Sequence, residues 1–307
     1  MQKYFSHGKL LITGEYVVLD GATALALPTK KGQSLEVEEI DRPVIEWRSL
    51  DHNGETWFEI EFSLKDIFSE ENKIPHRKDL TTEERLTSLL KTAVRLESPI
   101  LSEQKGFKVI TSTDFPLDWG LGTSSTLVAN ISKWLQVDPF DLLESTFGGS
   151  GYDVAVAMEG KPITYQIHGD NRSILTTSYD PEFNDSLFFV HLNKKQNSRD
   201  SINYYRSRDT EDINTAVEKI SSLTHQAISC TSLSEFELLL EIHENIISQL
   251  TGLKKVKTEL FPDYPGAIKS LGGWGGDFCL VTGDESKLDY FRSKSYNTII
   301  PYKEMIL

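Results

Sequence analysis

The stretch that most constrains this chain is Pro116-Leu-Asp-Trp-Gly-Leu-Gly-Thr-Ser-Ser-Thr-Leu-Val128, a glycine-rich turn running straight into a helix. Gly120 and Gly122 remove side chains where a backbone would approach a ligand closely, and Thr123, Ser124, Ser125 and Thr126 add hydroxyls at the helix start. The first N–H groups of a helix lack intrahelical partners and carry the positive end of its dipole, so such a turn suits a phosphate. No Lys follows the second glycine, which excludes the Gly-x-x-x-x-Gly-Lys nucleotide loop. By itself the stretch also reads as a tight turn with a good helix cap.

At 307 residues the chain can bury a large core, as one domain or two closely packed ones. Its 32 basic and 46 acidic residues give a formal charge of −14, which argues against nucleic acid or an anionic membrane as partner. Cys230 and Cys279 make no disulfide framework and read as small apolar residues in a reducing compartment. The apolar run at Leu10–Ile12 is too short for a secretion signal, and no stretch approaches a membrane span of roughly 20 apolar residues. These features lead us to expect a soluble, cytoplasmic protein, monomeric or homodimeric.

Residues 9–13, 16–19 and 22–27 read as strands, the last stopped by Pro28, and 34–40, 44–48 and 56–63 alternate as a half-exposed antiparallel sheet does. Asp51-His-Asn-Gly54 is a hairpin turn, and Thr81-Thr-Glu-Glu84 opens a helix with a capping box. Residues 107–111 form a strand into the glycine turn, a helix follows over 124–135, and Asp138-Pro caps a short one. Leu187–Leu192 is a buried strand, and 213–231 and 234–250 are long amphipathic helices, the second with Glu241 and Glu244 on its solvent side. Strands at 277–281 and 298–300 flank a helix near 285–293. The pattern is α+β, helices covering one face of a sheet, with a division near residue 186.

Three further segments carry chemistry-bearing residues. In Gly8-Lys9-Leu-Leu-Ile-Thr-Gly-Glu15-Tyr16, Lys9 is either the solvated entry to a strand or a functional cation. In Gly148-Gly-Ser-Gly-Tyr-Asp153, a glycine-dense loop delivers one acid to the start of an apolar run, as helix cap or as catalytic group. In Ser270-Leu-Gly-Gly-Trp-Gly-Gly-Asp277, four glycines in five positions imply close backbone approach, in a turn or to a ligand. A basic stretch, Lys194-Lys195-Gln-Asn-Ser198-Arg199, is a solvated loop or a contact for an anionic substrate. His7, His52, His168 and His243 lack metal-ligand spacing.

In order and in sequence these segments resemble the GHMP small-molecule kinases, the group of galactokinase, homoserine kinase, mevalonate kinase and phosphomevalonate kinase. Gly8-Lys9…Gly14-Glu15-Tyr16 is similar to that group's Pro-Gly-Lys-x-x-x-x-Gly-Glu-Tyr/His, with His7 in place of the proline. The glycine turn is similar to Pro-x-x-x-Gly-Leu-Gly-Ser-Ser-Ala, and the late cluster to Gly-Ala-Gly-Gly-Gly-Asp, with Trp274 at a glycine position. Within the group the phosphomevalonate and mevalonate kinases are most similar.

The resemblance implies an α+β GHMP kinase fold: an N-terminal ATP-binding domain over 1–185 with a left-handed βαβ crossover, and a ferredoxin-like C-terminal domain over 186–307. It implies ATP and Mg²⁺ as cofactors and mevalonate or 5-phosphomevalonate as acceptor, in isoprenoid precursor synthesis. Gly120, Leu121, Gly122, Thr123, Ser124, Ser125 and Thr126 would hold the nucleotide, and Ser124, with Glu144, the metal. Asp153 would act on the acceptor's proton, with Lys9 keeping it ionised and stabilising developing charge. Glu15, Tyr16 and Arg199 would meet the acceptor. The Trp274 indole must point away from the phosphates or reshape the pocket. Two other readings stay in view. A diphosphomevalonate decarboxylase shares the fold but lacks the lysine found here at position 9. A catalytically silent ligand-binding relative is disfavoured by Lys9, Ser124 and Asp153.

Overall fold

The structure is a computed structural model that describes residues 1–69, 80–195, 198–207 and 213–307, with backbone alone for 198–201. The chain divides into two compact units, each assembled from separate stretches. The first is Met1–Gly8, Lys31–Leu117 and Gly122–Met158; the second is Lys9–Lys30, Asp118–Leu121 and Glu159–Leu307.

Two long strands, β1 (Gln2–Thr13) and β2 (Ala24–Ile40), contribute residues to both units. In the first unit the end of β2 joins β3 (Val44–Leu50) and β4 (Thr56–Ser63), which are followed by the short α1 (Leu64–Phe68), α2 (Thr82–Arg95) and β5 (Gly106–Thr113). The order is β4-β3-β5-β2; β3 and β5 run parallel, with Trp47 opposite Val109, and the other pairs are antiparallel. The hairpin turn forms as its sequence suggests: Asp51 Oδ1 accepts the N–H groups of Asn53 and Glu55, both at 2.9 Å, and Gly54 is left-handed at φ +81°.

Alternation puts Leu35, Val37, Ile45, Trp47, Phe107 and Val109 into one core. Leu86, Leu89 and Leu90 of α2 reach that core, as do Val128, Ile131 and Trp134 of α3 (Thr123–Leu135). The Trp134 ring meets Phe107 edge-on at 5.4 Å. The capping box at Thr81 is complete, Thr81 Oγ1 accepting the Glu84 N–H and Glu84 the Thr81 N–H. Two more helices, α4 (Pro139–Glu144), capped by Asp138, and α5 (Tyr152–Glu159), finish this part of the chain.

In the second unit, the start of β2 pairs with β6 (Ile163–His168), which forms a hairpin with β7 (Asn171–Thr176) over Gly169-Asp170. A four-stranded antiparallel sheet follows, with order β11-β8-β10-β9. Its strands are β8 (Leu187–His191), β9 (Ile268–Ser270), β10 (Phe278–Thr282) and β11 (Ile299–Pro301). Between β8 and β9 come α6 (Ser198–Arg206), α7 (Ile213–Ser229), α8 (Leu233–Thr251) and α9 (Val256–Leu260). The last helices are α10 (Asp289–Ser293) and α11 (Tyr302–Met305). Phe188, Val190, Phe261, Ile268, Val281 and Phe291 form its core.

Four sequence expectations change. Pro28 does not stop the strand: β2 runs through it, the Pro28 carbonyl accepting the Leu307 N–H at 3.1 Å while Thr29 bridges Ile306. Residues 17–20 form one turn of 3₁₀ helix, because Tyr16 turns the chain with a positive φ of 65° and the Val18 N–H folds back onto the Gly14 carbonyl. The basic stretch is divided: Lys194 and Lys195 lie in exposed irregular chain, whereas Ser198 and Arg199 begin α6. Glu244 lies in the interior, for a reason that belongs with Glu15 below. The mixed α+β class stands as read. Among the described residues no helix is long and apolar enough to cross a membrane.

Candidate functional site

The glycine turn combines two left-handed glycines with an uncapped helix. Gly120 has φ +67°, and Gly122, the residue before α3, has φ +95° and provides no side chain to cap the first amides. The four hydroxyl residues that follow divide by depth. Ser125 Oγ turns back to donate to the Gly122 carbonyl at 2.9 Å, and the buried Thr126 donates to Gln33 Oε1 at 2.8 Å. Thr123 is half-buried and Ser124 exposed, so only these two present hydroxyls to solvent, while Leu121 packs inside.

Lys9 sets the orientation of the turn. Its backbone N–H donates to the Leu121 carbonyl at 2.9 Å, and Nζ donates to the Gly120 carbonyl at 3.1 Å. In a trans peptide the C=O and the following N–H point in opposite directions, so these contacts aim the Leu121 and Gly122 amides away from Lys9. Among the described residues the amides of Leu121, Gly122, Thr123 and Ser124 have no protein acceptor. Successive free amides in front of a helix make an anion-binding concavity.

Asp153 follows three left-handed glycines, Gly148 (φ +65°), Gly149 (φ +103°) and Gly151 (φ +87°). It is the second residue of α5, so it is not the residue that caps that helix. Its Oδ1 accepts the Val154 N–H at 3.0 Å, which orients the half-exposed carboxylate at the positive end of the helix. Glu144 is exposed at the end of α4. Among the described residues no three His, Cys, Asp or Glu side chains gather in a metal-binding group. A magnesium ion bound through Ser124 would therefore take most of its oxygen ligands from phosphate and water, as this ion commonly does.

Glu15 and Tyr16, expected to meet the acceptor, are turned inward. Both Glu15 and Lys269 have fully buried side chains, and they form an ion pair in which Lys269 Nζ also donates to the Ser270 carbonyl at 2.9 Å. Beside them His243 Nε2 accepts the Gly14 N–H at 3.0 Å, which leaves the ring proton on Nδ1. Burial, and after it the Lys269 charge, pushes the imidazole well below its ordinary pKa, so its 3.3 Å approach to Glu15 is no ion pair. Glu244 accepts from Ser270 Oγ at 3.1 Å, and burial pushes its carboxyl up to about 8. Burial likewise raises Glu15, opposed by Lys269. Among the described residues, Glu15 Oε2, His243 Nδ1 and Glu244 Oε1 have no hydrogen-bond partner. The Tyr16 hydroxyl donates to the Gly273 carbonyl at 2.9 Å, and its ring lies against Tyr205.

The sequence reading missed this ionic cluster. Two signals were present: Lys269 is the lone charge in the stretch 267–271, and Glu244 falls on the same helical stripe as Leu240, Ile247 and Thr251. Arg199 lies in α6, and its side chain is outside the described residues. The Trp274 indole is buried at φ +58°, and its N–H has no acceptor among the described residues.

The sequence matches no protein-family description and no curated protein. Its structure, by contrast, has close neighbours among solved ones. Mevalonate kinase from Methanococcus jannaschii is similar with a TM-score of 0.72 and 14% identity over 97% of this chain and 96% of that one. Phosphomevalonate kinase from Streptococcus pneumoniae, solved with phosphomevalonate and AMPPNP, gives 0.68 and 16% over 96% of each chain. Galactokinase from Lactococcus lactis, solved with galactose, gives 0.65 and 15% over 95% of this chain and 88% of that one. The fold is that of the GHMP kinases.

Proposed function

We propose that this chain is an ATP- and magnesium-dependent kinase that phosphorylates mevalonate or 5-phosphomevalonate in isoprenoid precursor synthesis. The observation that carries the proposal is the divided polarity of the glycine turn. Lys9 takes the carbonyls of Gly120 and Leu121, and four amides from Leu121 to Ser124 are left for an anion. On a GHMP kinase fold, that anion is the polyphosphate of ATP.

Phosphoryl transfer depends on positioning and charge neutralisation more than on covalent work by the protein. The free amides and the Thr123 hydroxyl would hold phosphate oxygens, and the exposed Ser124 hydroxyl would hold magnesium. ATP, when bound, would supply the phosphoryl group, and magnesium would neutralise charge on it. Lys9 places a cation against the turn and would stabilise negative charge there. Asp153 accepts the proton of an acceptor hydroxyl. A phosphate acceptor with a second pKa of about 6 already offers an oxyanion at neutral pH, so such an acceptor needs no proton taken by Asp153. Arg199 is the proposed contact for the acceptor's anionic group, its guanidinium suiting carboxylate or phosphate. Glu15 supports the fold from inside rather than meeting the acceptor.

The test is ADP release from MgATP with mevalonate, 5-phosphomevalonate, homoserine and galactose offered separately. Turnover with mevalonate or 5-phosphomevalonate alone is expected. Turnover with galactose or homoserine alone would keep the kinase and replace the acceptor. MgATP binding without ADP release from any of them would leave a ligand-binding protein.

A further inference from the structure

The late glycine cluster has no part in the reading above, and its last residue lies against the turn. A Cβ placed on Gly120 would fall 2.2 Å from Asp277 Cγ and 2.3 and 2.5 Å from its two carboxylate oxygens. The Asp277 carboxylate therefore rests directly on the bare face of Gly120. We infer that Asp277 is a positioning residue: braced on Gly120, it fixes the peptide whose carbonyl receives Lys9 and whose amide partner faces the nucleotide phosphates. The inference rests on the kinase reading for its consequence, and on geometry alone for the brace.

Three observations support it. First, Asp277 is itself held. Its N–H donates to the Lys194 carbonyl at 2.6 Å, and its carbonyl accepts the Leu192 N–H at 2.7 Å, so its direction is fixed by the chain leaving β8. Second, the contact belongs to a series. His191 Nε2 lies 3.3 Å from the Asp118 carbonyl, Phe278 meets the Trp119 ring edge-on at 5.4 Å, and Asp277 meets Gly120. Residues 118–120 thus lie along β8 and β10, whose register pairs His191 with Phe278. Third, Asp277 is left-handed at φ +54°, a conformation that costs an L-residue free energy and glycine almost none. A carboxylate stands there despite four nearby glycines, two of which, Gly272 and Gly275, have open space around them.

The brace predicts a pattern across substitutions that simple destabilisation does not give. Asp277→Asn keeps the shape and is expected to hold MgATP affinity within about twofold of the parent, whereas Asp277→Gly weakens it about tenfold. Gly120→Ala, clashing with Asp277, weakens it further, and the double variant with Asp277→Gly loses much less than the product of the two. A second readout needs no nucleotide: amide hydrogen exchange over residues 117–122 accelerates in Asp277→Gly and stays slow in Asp277→Asn. Unchanged exchange in Asp277→Gly, or single-variant effects on affinity that multiply, would overturn the brace. Absence of MgATP binding in the parent would sink the kinase reading instead, and the exchange measurement would still decide the brace.

Discussion

The glycine turn at 120–124 leaves its hydrogen-bonding groups uncovered, whereas the polar groups of Glu15, His243, Glu244 and Lys269 are shut away from water. The turn contains no acid or base of its own, only amides, hydroxyls and the Lys9 ammonium beside them. The buried cluster contains four ionisable side chains, and its neighbours there are one another. In the first region, groups without partners are available to a ligand. In the second, the charges of Glu15 and Lys269 hold each other in the interior, and removing one leaves the other stranded. Damage should therefore appear as lost function in one place and lost stability in the other.

The sharpest way to break that contrast is Asp153→Asn, an open-site residue like those of the turn. A drop of about 10²–10⁴-fold in kcat on a hydroxyl acceptor is expected, with an unchanged melting temperature. Near-parental turnover would remove Asp153 from its proposed role. Lys269→Met is the counterpart in the sealed region. It leaves Glu15 buried without its cation and should cost about 3–5 kcal/mol in denaturant unfolding. A midpoint within error of the parent would show that the ion pair is not needed.

Glu244 sharpens the comparison through pH. Burial pushes its carboxyl up to about 8 in the folded chain, above its ordinary value of 4.5, so the folded state holds a proton that the unfolded state has lost between those values. Stability from this group is full below about pH 4.5, declines as pH rises and is gone above about pH 8. His243, pushed down, acts in the opposite sense as pH falls below its ordinary value. Glu244→Gln should remove the alkaline decline, seen as unfolding midpoints that separate from the parent's as pH rises. Parallel curves would mean Glu244 does not titrate there. The smallest effects come from neighbouring serines: Ser125→Ala should lower stability by about 1 kcal/mol with MgATP affinity kept, and Ser124→Ala the reverse. If both variants lose the same property, the division of the turn by depth fails.

The same contrast explains what the sequence could disclose. The turn was legible because its chemistry lies in consecutive backbone units, where two glycines and a helix start say most of what matters. Asp153 was legible for a similar reason, delivered by its own glycine loop, although its place in the second helical position was not. The hairpin at Asp51, the capping box at Thr81 and the cap at Asp138 are local hydrogen-bond devices and formed as read. The ionic cluster was hidden because its members stand at positions 15, 243, 244 and 269, and only tertiary structure brings them together. Glu244 was placed in solvent on its charge alone, which a buried partner overrides. Pro28 reads as a stop because proline has no N–H to donate, yet its carbonyl still accepts the Leu307 N–H and the strand continues through it.

The sealed cluster also bears on how such a chain can change over generations. An apolar replacement of Lys269 leaves two buried acids behind, so Glu15 and Glu244 would have to change with it, and Ser270 and His243 would lose their present neighbours. Substitutions at these distant positions are therefore tied, each tolerable only in the company of the others. A chain can vary widely at its surface and still be obliged to alter this small set together or leave it alone.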